Sequence, residues 1–491
     1  MLPPTERAAG SRGDPLAAGE AGTRYVRGGT LRMLGYLGAV ASSVVAIPFV
    51  TRHLHSANYG HYVAVTSLML IVSALTEGGI ASLGVREFAT APAGERRAFM
   101  SSLIGVRIAL SVVGGAGAVV FALVAGYPGV VVEGTALAVV GLLFANLQIT
   151  LAVPLTAALR LPWLAVLDFL TPTVTSLTLV LLVVLDAPFL LFFAAAAVGY
   201  SADLALTALL VRGQISLRPA FRLARWRALL RDSVVFASAT ALSTVYFQVV
   251  VVAMSVIATA QQTGVFGLAF RILSVIGGLP VLLAGSALPI LLRAAEDDRG
   301  RLRETVQRLL EGTLLLGGWF SLLVVAGAPF AVRVLGGPGY PGAATALRIL
   351  GAGVIATFIA AVLAMTLLAL RAYRTLIVTS AAMIVLAIVL CTTLIPHHGA
   401  DGGAVVTLTL EVVLAVAYAA ILAATHRELR PRLSRAGRIA VAVAVAFAAA
   451  LAAPVAAVPS ALIGTAVLAA AVCALRAFPV EVIAALRPRR R

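Results

Sequence analysis

The chain has 491 residues, of which 61% are hydrophobic and 12% charged, with a formal net charge of +17. A mean hydropathy of +1.04 is more apolar than any soluble core of this size requires and excludes that class. All 37 basic residues are arginines, divided among many short segments instead of gathered in one basic domain, which argues against a nucleic-acid partner.

Residues 1–30 are rich in Ala, Gly, Pro and Arg and lack the apolar core of a cleavable signal peptide. They are expected to form a disordered cytoplasmic tail. Fourteen apolar runs follow, at 31–51, 62–85, 99–124, 130–154, 163–185, 188–211, 232–257, 264–291, 306–330, 344–370, 374–395, 402–424, 438–457 and 460–478. About 20 residues of helix cross a hydrocarbon layer of ~30 Å, and Gly, Pro and Ser within such runs are compatible with helices in a bilayer. A membrane barrel would alternate polar and apolar residues over ~10-residue strands, and no run does so. The predicted fold class is an all-α polytopic membrane protein. Cys391 and Cys473 fall inside apolar runs and imply no disulfide framework.

Arginine falls on every second gap between the runs. Positive charge near short loops stays in the cytoplasm, so the alternation predicts a cell-membrane protein with both termini cytoplasmic. Thirty-two arginines then lie on the inner side, and Arg52, Arg333 and Arg348 fall in outer loops. Arg107 and Arg271 are left inside the membrane. Arg487, Arg489, Arg490 and Arg491 read as an anchor to anionic lipids at the cytoplasmic face.

The segment 212–231 is the longest and most basic inner connection and contains Phe221, Trp226 and Leu229. It is a topology-setting loop, with a short interfacial helix on anionic lipid as the alternative. It separates an N-lobe of six helices (31–211) from a C-lobe of six (232–424), followed by a helix pair (425–478) and a basic tail (479–491). Asn58-Tyr59-Gly60-His61-Tyr62 before the second run and Gln262-Thr263-Gly264-Val265-Phe266 before the eighth share an amide–x–Gly–x–aromatic pattern. Two repeats related by an axis along the membrane normal account for that match.

Four stretches resemble the polysaccharide and oligosaccharide flippases of the multidrug/oligosaccharidyl-lipid/polysaccharide exporter superfamily. The first is Pro48-Phe49-Val50-Thr51-Arg52-His53-Leu54 leading into Asn58-Tyr59-Gly60-His61-Tyr62. The second is Glu77-Gly78-Gly79-Ile80 with Arg86. The third is Val334-Leu335-Gly336 with Tyr340 and Ala343-Ala344, and the fourth is Leu394-Ile395-Pro396 through Gly402-Gly403-Ala404. Glu77 stands where Asp is commoner, and Gly403 where Ala is usual. The resemblance implies two six-helix lobes around a central cavity that opens alternately to either side. It implies as substrate a saccharide carried on a polyprenyl diphosphate, with a polysaccharide polymerase or glycosyltransferases as partners.

Ionisable residues inside a bilayer face a cavity or a partner. Arg271 lies ~10 Å below the outer surface at 1.5 Å per residue, and its planar fork suits diphosphate oxygens. The alternative is an ion pair with Glu411. Arg107 and Glu77 lie at similar depth, ~12 Å from the cytoplasm, so a salt bridge competes with a substrate role for Arg107. Arg52, beside His53 and His55, is a further headgroup or substrate contact. Gln148 and Gln248, with Asn146, are placed to bond sugar hydroxyls or neighbouring helices. Glu411, Glu77 and Asp203 are the ion-coupling candidates, since burial lets a carboxyl titrate as its surroundings change; Asp168 lies near the cytoplasm. His397-His398 reads as a solvated turn.

No catalytic residue, metal or cofactor is expected. A phosphate-loop motor needs Gly-Lys-Ser/Thr, which a chain without lysine does not supply. A polyprenyl-dependent glycosyltransferase needs carboxylates at the outer surface, and only Glu133, Asp186 and Asp401 are scattered there. A multidrug exporter of the same superfamily shares the topology, but its cationic substrates call for an acidic cavity.

Overall fold

The computed structural model describes the backbone of residues 15–475 apart from 78, 222, 298, 427, 429–432 and 453–455. The arginine-rich tail at 479–491 and residues 1–14 lie outside the described residues, and with them the lipid anchor expected of Arg487, Arg489, Arg490 and Arg491.

The described chain is helical throughout, with one isolated bridge, Arg212 to Ile215. The helices in order are α1 (Pro15–Glu77), α2 (Ile80–Thr90), α3 (Ala93–Val124), α4 (Gly129–Leu151), α5 (Val153–Ala157), α6 (Leu161–Val184), α7 (Phe189–Phe192) and α8 (Ala195–Val211). They continue with α9 (Leu223–Ile257), α10 (Ala260–Asp297), α11 (Arg299–Leu335), α12 (Ala343–Ala369), α13 (Tyr373–Thr425), α14 (Leu433–Ala452) and α15 (Ala457–Ala474). Prolines begin several of them: Pro92, Pro128 and Pro188 are the residues before α3, α4 and α7. There the missing N–H costs nothing and the fixed φ favours entry.

Ten helices among the described residues are long and apolar enough to cross a membrane, and Ala241–Ile257 and Ala436–Ala452 are shorter apolar helices. Two of the ten are double. α1 turns at His55 (φ 57°, ψ 174°) and α13 at Gly399 (φ 51°, ψ −125°), so each forms two limbs. The described helices thus make fourteen crossing segments. The face bearing the His55 and Gly399 turns is called here the His55 face. The opposite one, bearing the 212–220 segment, is the Arg86 face.

In the first lobe α1 packs on α6, and α4 on both α3 and α8. In the second, α12 packs between α10, α11 and α13, and α9 lies on α13. The pair α14–α15 packs together on α11, and α1 crosses between the lobes against α9 and α10. The largest apolar core spans both lobes, from Val50, Leu54 and Tyr59 near the His55 face through Phe266 and Leu268 to Leu291 and Leu302 near the Arg86 face. A separate core holds the Arg86 end of the first lobe, around Leu83, Met100, Leu155 and Val211. A third joins Leu322 on α11 to Ile439 and Leu468 on the C-terminal pair.

Several expectations change. Residues 15–30, read as part of a disordered tail, continue α1 as helix. Extending an existing helix gains a hydrogen bond for each residue fixed, and Ala is the best former. Trp226 and Leu229 belong to α9, so the connection forms no separate interfacial helix. What remains of it is short, and the Ala220 amide donates to the Ser101 carbonyl at 2.8 Å. Arg52, Arg333 and Arg348 sit in helices, not in loops. His397 and His398 are exposed, as expected, but end a helical limb instead of forming a turn.

Candidate substrate cavity

A cavity of about 390 Å³ lies between the lobes, lined by both limbs of α1, by α4, α6, α7 and α8, and by α9 and α10 of the second lobe. Its wall sets hydroxyls and aromatic rings, among them Thr66, Ser73, Thr175 and Ser176 beside Tyr59, Tyr62, Tyr200 and Phe270, among aliphatic residues such as Ile47, Val63 and Leu142. Arg271, on α10, is the sole charged residue among the described lining residues. It is solvent-exposed within the fold. Its charge acts on the phenol groups of Tyr59 and Tyr62, but no side-chain bond neutralises it among the described residues.

The cavity is closed on the His55 face by direct contact of the two amide–x–Gly–x–aromatic segments. Gly60 and Gly264 face each other where α1 crosses α10. A Cβ on Gly60 would strike the Ala260 carbonyl, and one on Gly264 the Ser56 carbonyl. Thr51 Oγ1 donates to the Leu335 carbonyl at 2.5 Å, and Tyr340 Oη to the Thr51 carbonyl at 3.0 Å. Arg52 Nη2 reaches the Val334 carbonyl at 2.9 Å. Arg52 thus joins the lobes at the rim and does not line the cavity.

The other sequence-selected residues are dispersed. Gln248 lines the cavity, and its Oε1 is buried without a hydrogen-bond partner among the described residues. Gln148 does not line it; its Nε2 approaches Thr207 Oγ1 at 3.5 Å. Arg107 is fully buried away from the cavity. The expected contact ion pair with Glu77 is absent, and Glu77 acts on it through space. Arg107 instead donates from Nη1 to the Thr76 carbonyl at 2.8 Å and from Nε to the Asn146 carbonyl at 3.3 Å. Thr76 lies in the last turn of α1, where carbonyls lack intrahelical donors, whereas the Asn146 carbonyl also accepts from Thr150 Oγ1 at 2.8 Å. Thr76 precedes the break at Gly79 between α1 and α2, and Asn146 the break between α4 and α5. Asn146 itself bonds Thr76 Oγ1 and Ser111 Oγ, at 3.1 and 2.8 Å.

Glu411 is buried on α13 and accepts a hydrogen bond from Tyr246 Oη at 2.8 Å, so the alternative ion pair with Arg271 does not form. Asp203 is buried behind the cavity wall. Its Oδ2 accepts from Thr171 Oγ1 at 2.7 Å, and its Oδ1 has no hydrogen-bond partner among the described residues. Thr171 and Tyr200, which flank it, line the cavity. Glu77 is half-buried at the end of α1. Sequence reading missed the aromatic wall. Tyr59 and Tyr62 entered only as motif letters, and Phe270 is indistinguishable in sequence from a lipid-facing residue.

Residues 25–295 match the model of the polysaccharide biosynthesis protein family. The chain belongs to that family. Its fold resembles the lipid II flippase MurJ in an inward closed conformation, with a TM-score of 0.68 at 13% identity, over 92% of this chain and 99% of that one. It also resembles an inward-facing multidrug resistance MATE family transporter of the MOP superfamily, with a TM-score of 0.62 at 12% identity, over 79% and 96%. A mutant of the Vibrio cholerae MATE transporter VcmN gives a TM-score of 0.54 at 14% identity, over 83% and 98%. No curated protein matches the sequence. This member of the polysaccharide biosynthesis protein family is thus a multi-pass membrane protein with a fold shared by the MurJ flippase and MATE transporters.

Proposed function

We propose that this protein is a flippase that moves a polyprenyl-diphosphate-linked oligosaccharide from the cytoplasmic to the outer leaflet, for surface polysaccharide or cell-envelope assembly. The observation that carries the reading is that Arg271 is the one charge among the described lining residues of a cavity whose wall sets hydroxyls and aromatic rings among aliphatic side chains. A guanidinium fork holds a diphosphate bidentately, while hydroxyls and ring faces suit a sugar. The same cation disfavours the positively charged drugs of a multidrug exporter.

In this reading the arginine bias puts the Arg86 face in the cytoplasm and the His55 face outside, with both termini cytoplasmic. The conformer described is closed to the outside. Substrate enters from the Arg86 face, its diphosphate meets Arg271, and its lipid tail remains in the bilayer. Separation of the Gly60–Gly264 contact then opens the cavity outward. Glu411 and Asp203 are the carboxylates through which an ion gradient drives the exchange. Glu77, half-buried at the end of α1, is the third such candidate. A polymerase or glycosyltransferases consume the product outside.

The test is reconstitution in liposomes with a labelled polyprenyl-diphosphate saccharide, reading its accessibility to an outer-leaflet probe. Protein-dependent translocation is expected. Its absence with a folded protein, for every saccharide length tried, overturns the reading.

A further inference from the structure

A second cavity, of about 580 Å³, opens at the Arg86 end of the first lobe, remote from Arg271 and walled by α2, α3, α5 and the segment after α8. Its polar groups are Arg96, Arg97 and Gln214, and Phe88, Pro154 and Ala158 form an apolar side.

Both arginines are aimed by contacts that use only part of each fork. Arg96 Nε donates to the Ala91 carbonyl at 3.0 Å, and its guanidinium carbon lies 5.2 Å from the centre of the Phe88 ring. Arg97 Nη2 donates to the Gly213 carbonyl at 3.3 Å. A guanidinium carries five N–H donors, so most remain for a ligand. Neither arginine makes an ion pair among the described residues. The nearby carboxylates do not line the cavity: Glu87 is bonded to Arg86 at 3.2 Å, and Glu95 is exposed.

The backbone adds to the same field. α3 is 32 residues long and starts after Pro92 without a side-chain cap. The Glu95 N–H is taken by the Pro92 carbonyl at 2.9 Å, which leaves the Ala93 and Gly94 N–H groups and the positive end of the dipole for an anion. Gly94, in that turn, lines the cavity, and nothing stands within 4 Å of where its Cβ would be, so a ligand reaches the backbone unobstructed.

We infer that this pocket binds a phosphate ester, with the phosphate between Arg96, Arg97 and the α3 N-terminus and its organic substituent on the Phe88–Pro154–Ala158 side. The chemistry is shared by a phospholipid headgroup and a free phosphate, and the apolar side favours the lipid. The inference stands apart from the central cavity and does not depend on what that cavity transports.

The test is native mass spectrometry of the full chain in detergent, titrated with phosphatidylglycerol, with phosphatidylcholine and, by equilibrium dialysis, with inorganic phosphate. One phosphatidylglycerol is expected to bind, with affinity about 100-fold lower in R96Q/R97Q, taking about tenfold for each charge-assisted hydrogen bond removed. R333Q/R348Q removes the same charge from the opposite face and should leave binding unchanged. Ala158→Phe fills the apolar side, keeps both arginines and should also expel the lipid, so the outcome does not hang on the folding of the double variant. Saturable inorganic phosphate with the same arginine dependence assigns the site to free phosphate. Equal lipid retention by wild type, R96Q/R97Q and Ala158→Phe, without saturable phosphate, overturns the site.

Discussion

Gly60 and Gly264 meet backbone to backbone, each at the same place in a repeated amide–x–Gly–x–aromatic segment, one from each lobe. The built Cβ of Gly60 would lie 2.8 Å from the Gly264 amide nitrogen, and a relaxed Cβ does not approach backbone so closely. The two segments are therefore halves of one crossing, and only glycine permits it.

Enlarging one glycine should hold the lobes apart on the His55 face. Gly264→Leu is expected to lower translocation by at least about tenfold, since more than ~1.4 kcal/mol of overpacking falls on a single conformer. Spin labels on the two lobes at that face would show the distance distribution shifted to longer values. An unchanged distribution would mean that α1 and α10 slide past the added side chain.

Arg271→Ala should abolish translocation yet leave thermal stability within about 0.5 kcal/mol of wild type, as expected for a side chain without packing or bonds to lose. Arg271→Lys keeps the charge but not the planar fork, so an intermediate rate is expected. Transport by Arg271→Ala at the wild-type rate would remove Arg271 from the mechanism.

Arg107→Ala should do the reverse. It removes the hydrogen bonds to the buried Thr76 and Asn146 carbonyls, of which the second keeps a bond from Thr150 Oγ1. Each charged hydrogen bond removed inside the fold costs about 1.5–3 kcal/mol. A marked fall in the melting temperature of the detergent-solubilised protein is expected. Melting at the wild-type temperature would show that the helix breaks at Gly79 and Ala152 hold without it.

Glu411→Gln keeps an acceptor for Tyr246 and so should fold, but removes the titrating group. If Glu411 couples transport to an ion, the variant's rate should no longer respond when the proton or sodium gradient is collapsed. Asp203→Asn, which preserves the bond from Thr171, is the parallel test in the first lobe. A variant with the full wild-type response is not altered at the coupling site.

The fold was legible in the sequence because a bilayer imposes a coarse rule. Each crossing needs about 20 apolar residues with every backbone group bonded internally. The fourteen runs therefore correspond closely to the crossing segments, with errors at their ends. His55 turns α1 through a left-handed residue that no periodicity marks, and the helix begun at Leu223 absorbs half of the predicted connection. The charge pairings were less legible. Arg107 and Glu77 share a depth, but depth along a helix leaves rotation about its axis undetermined. The structure turns Arg107 toward Thr76 and Asn146, and Glu411 toward Tyr246 instead of Arg271.

Composition and the spacing of apolar runs alone determined that this is a polytopic helical membrane protein. The short motifs carried its family resemblance. Which buried charges face the cavity and which brace the lobes was decided only by tertiary packing. So was the contact between the two glycine motifs, more than 200 residues apart. Hydrophobic burial in a membrane depends on the length and polarity of each segment, whereas a site depends on the rotation and register of each helix against its neighbours, and those follow from side-chain packing over distances that local sequence does not encode.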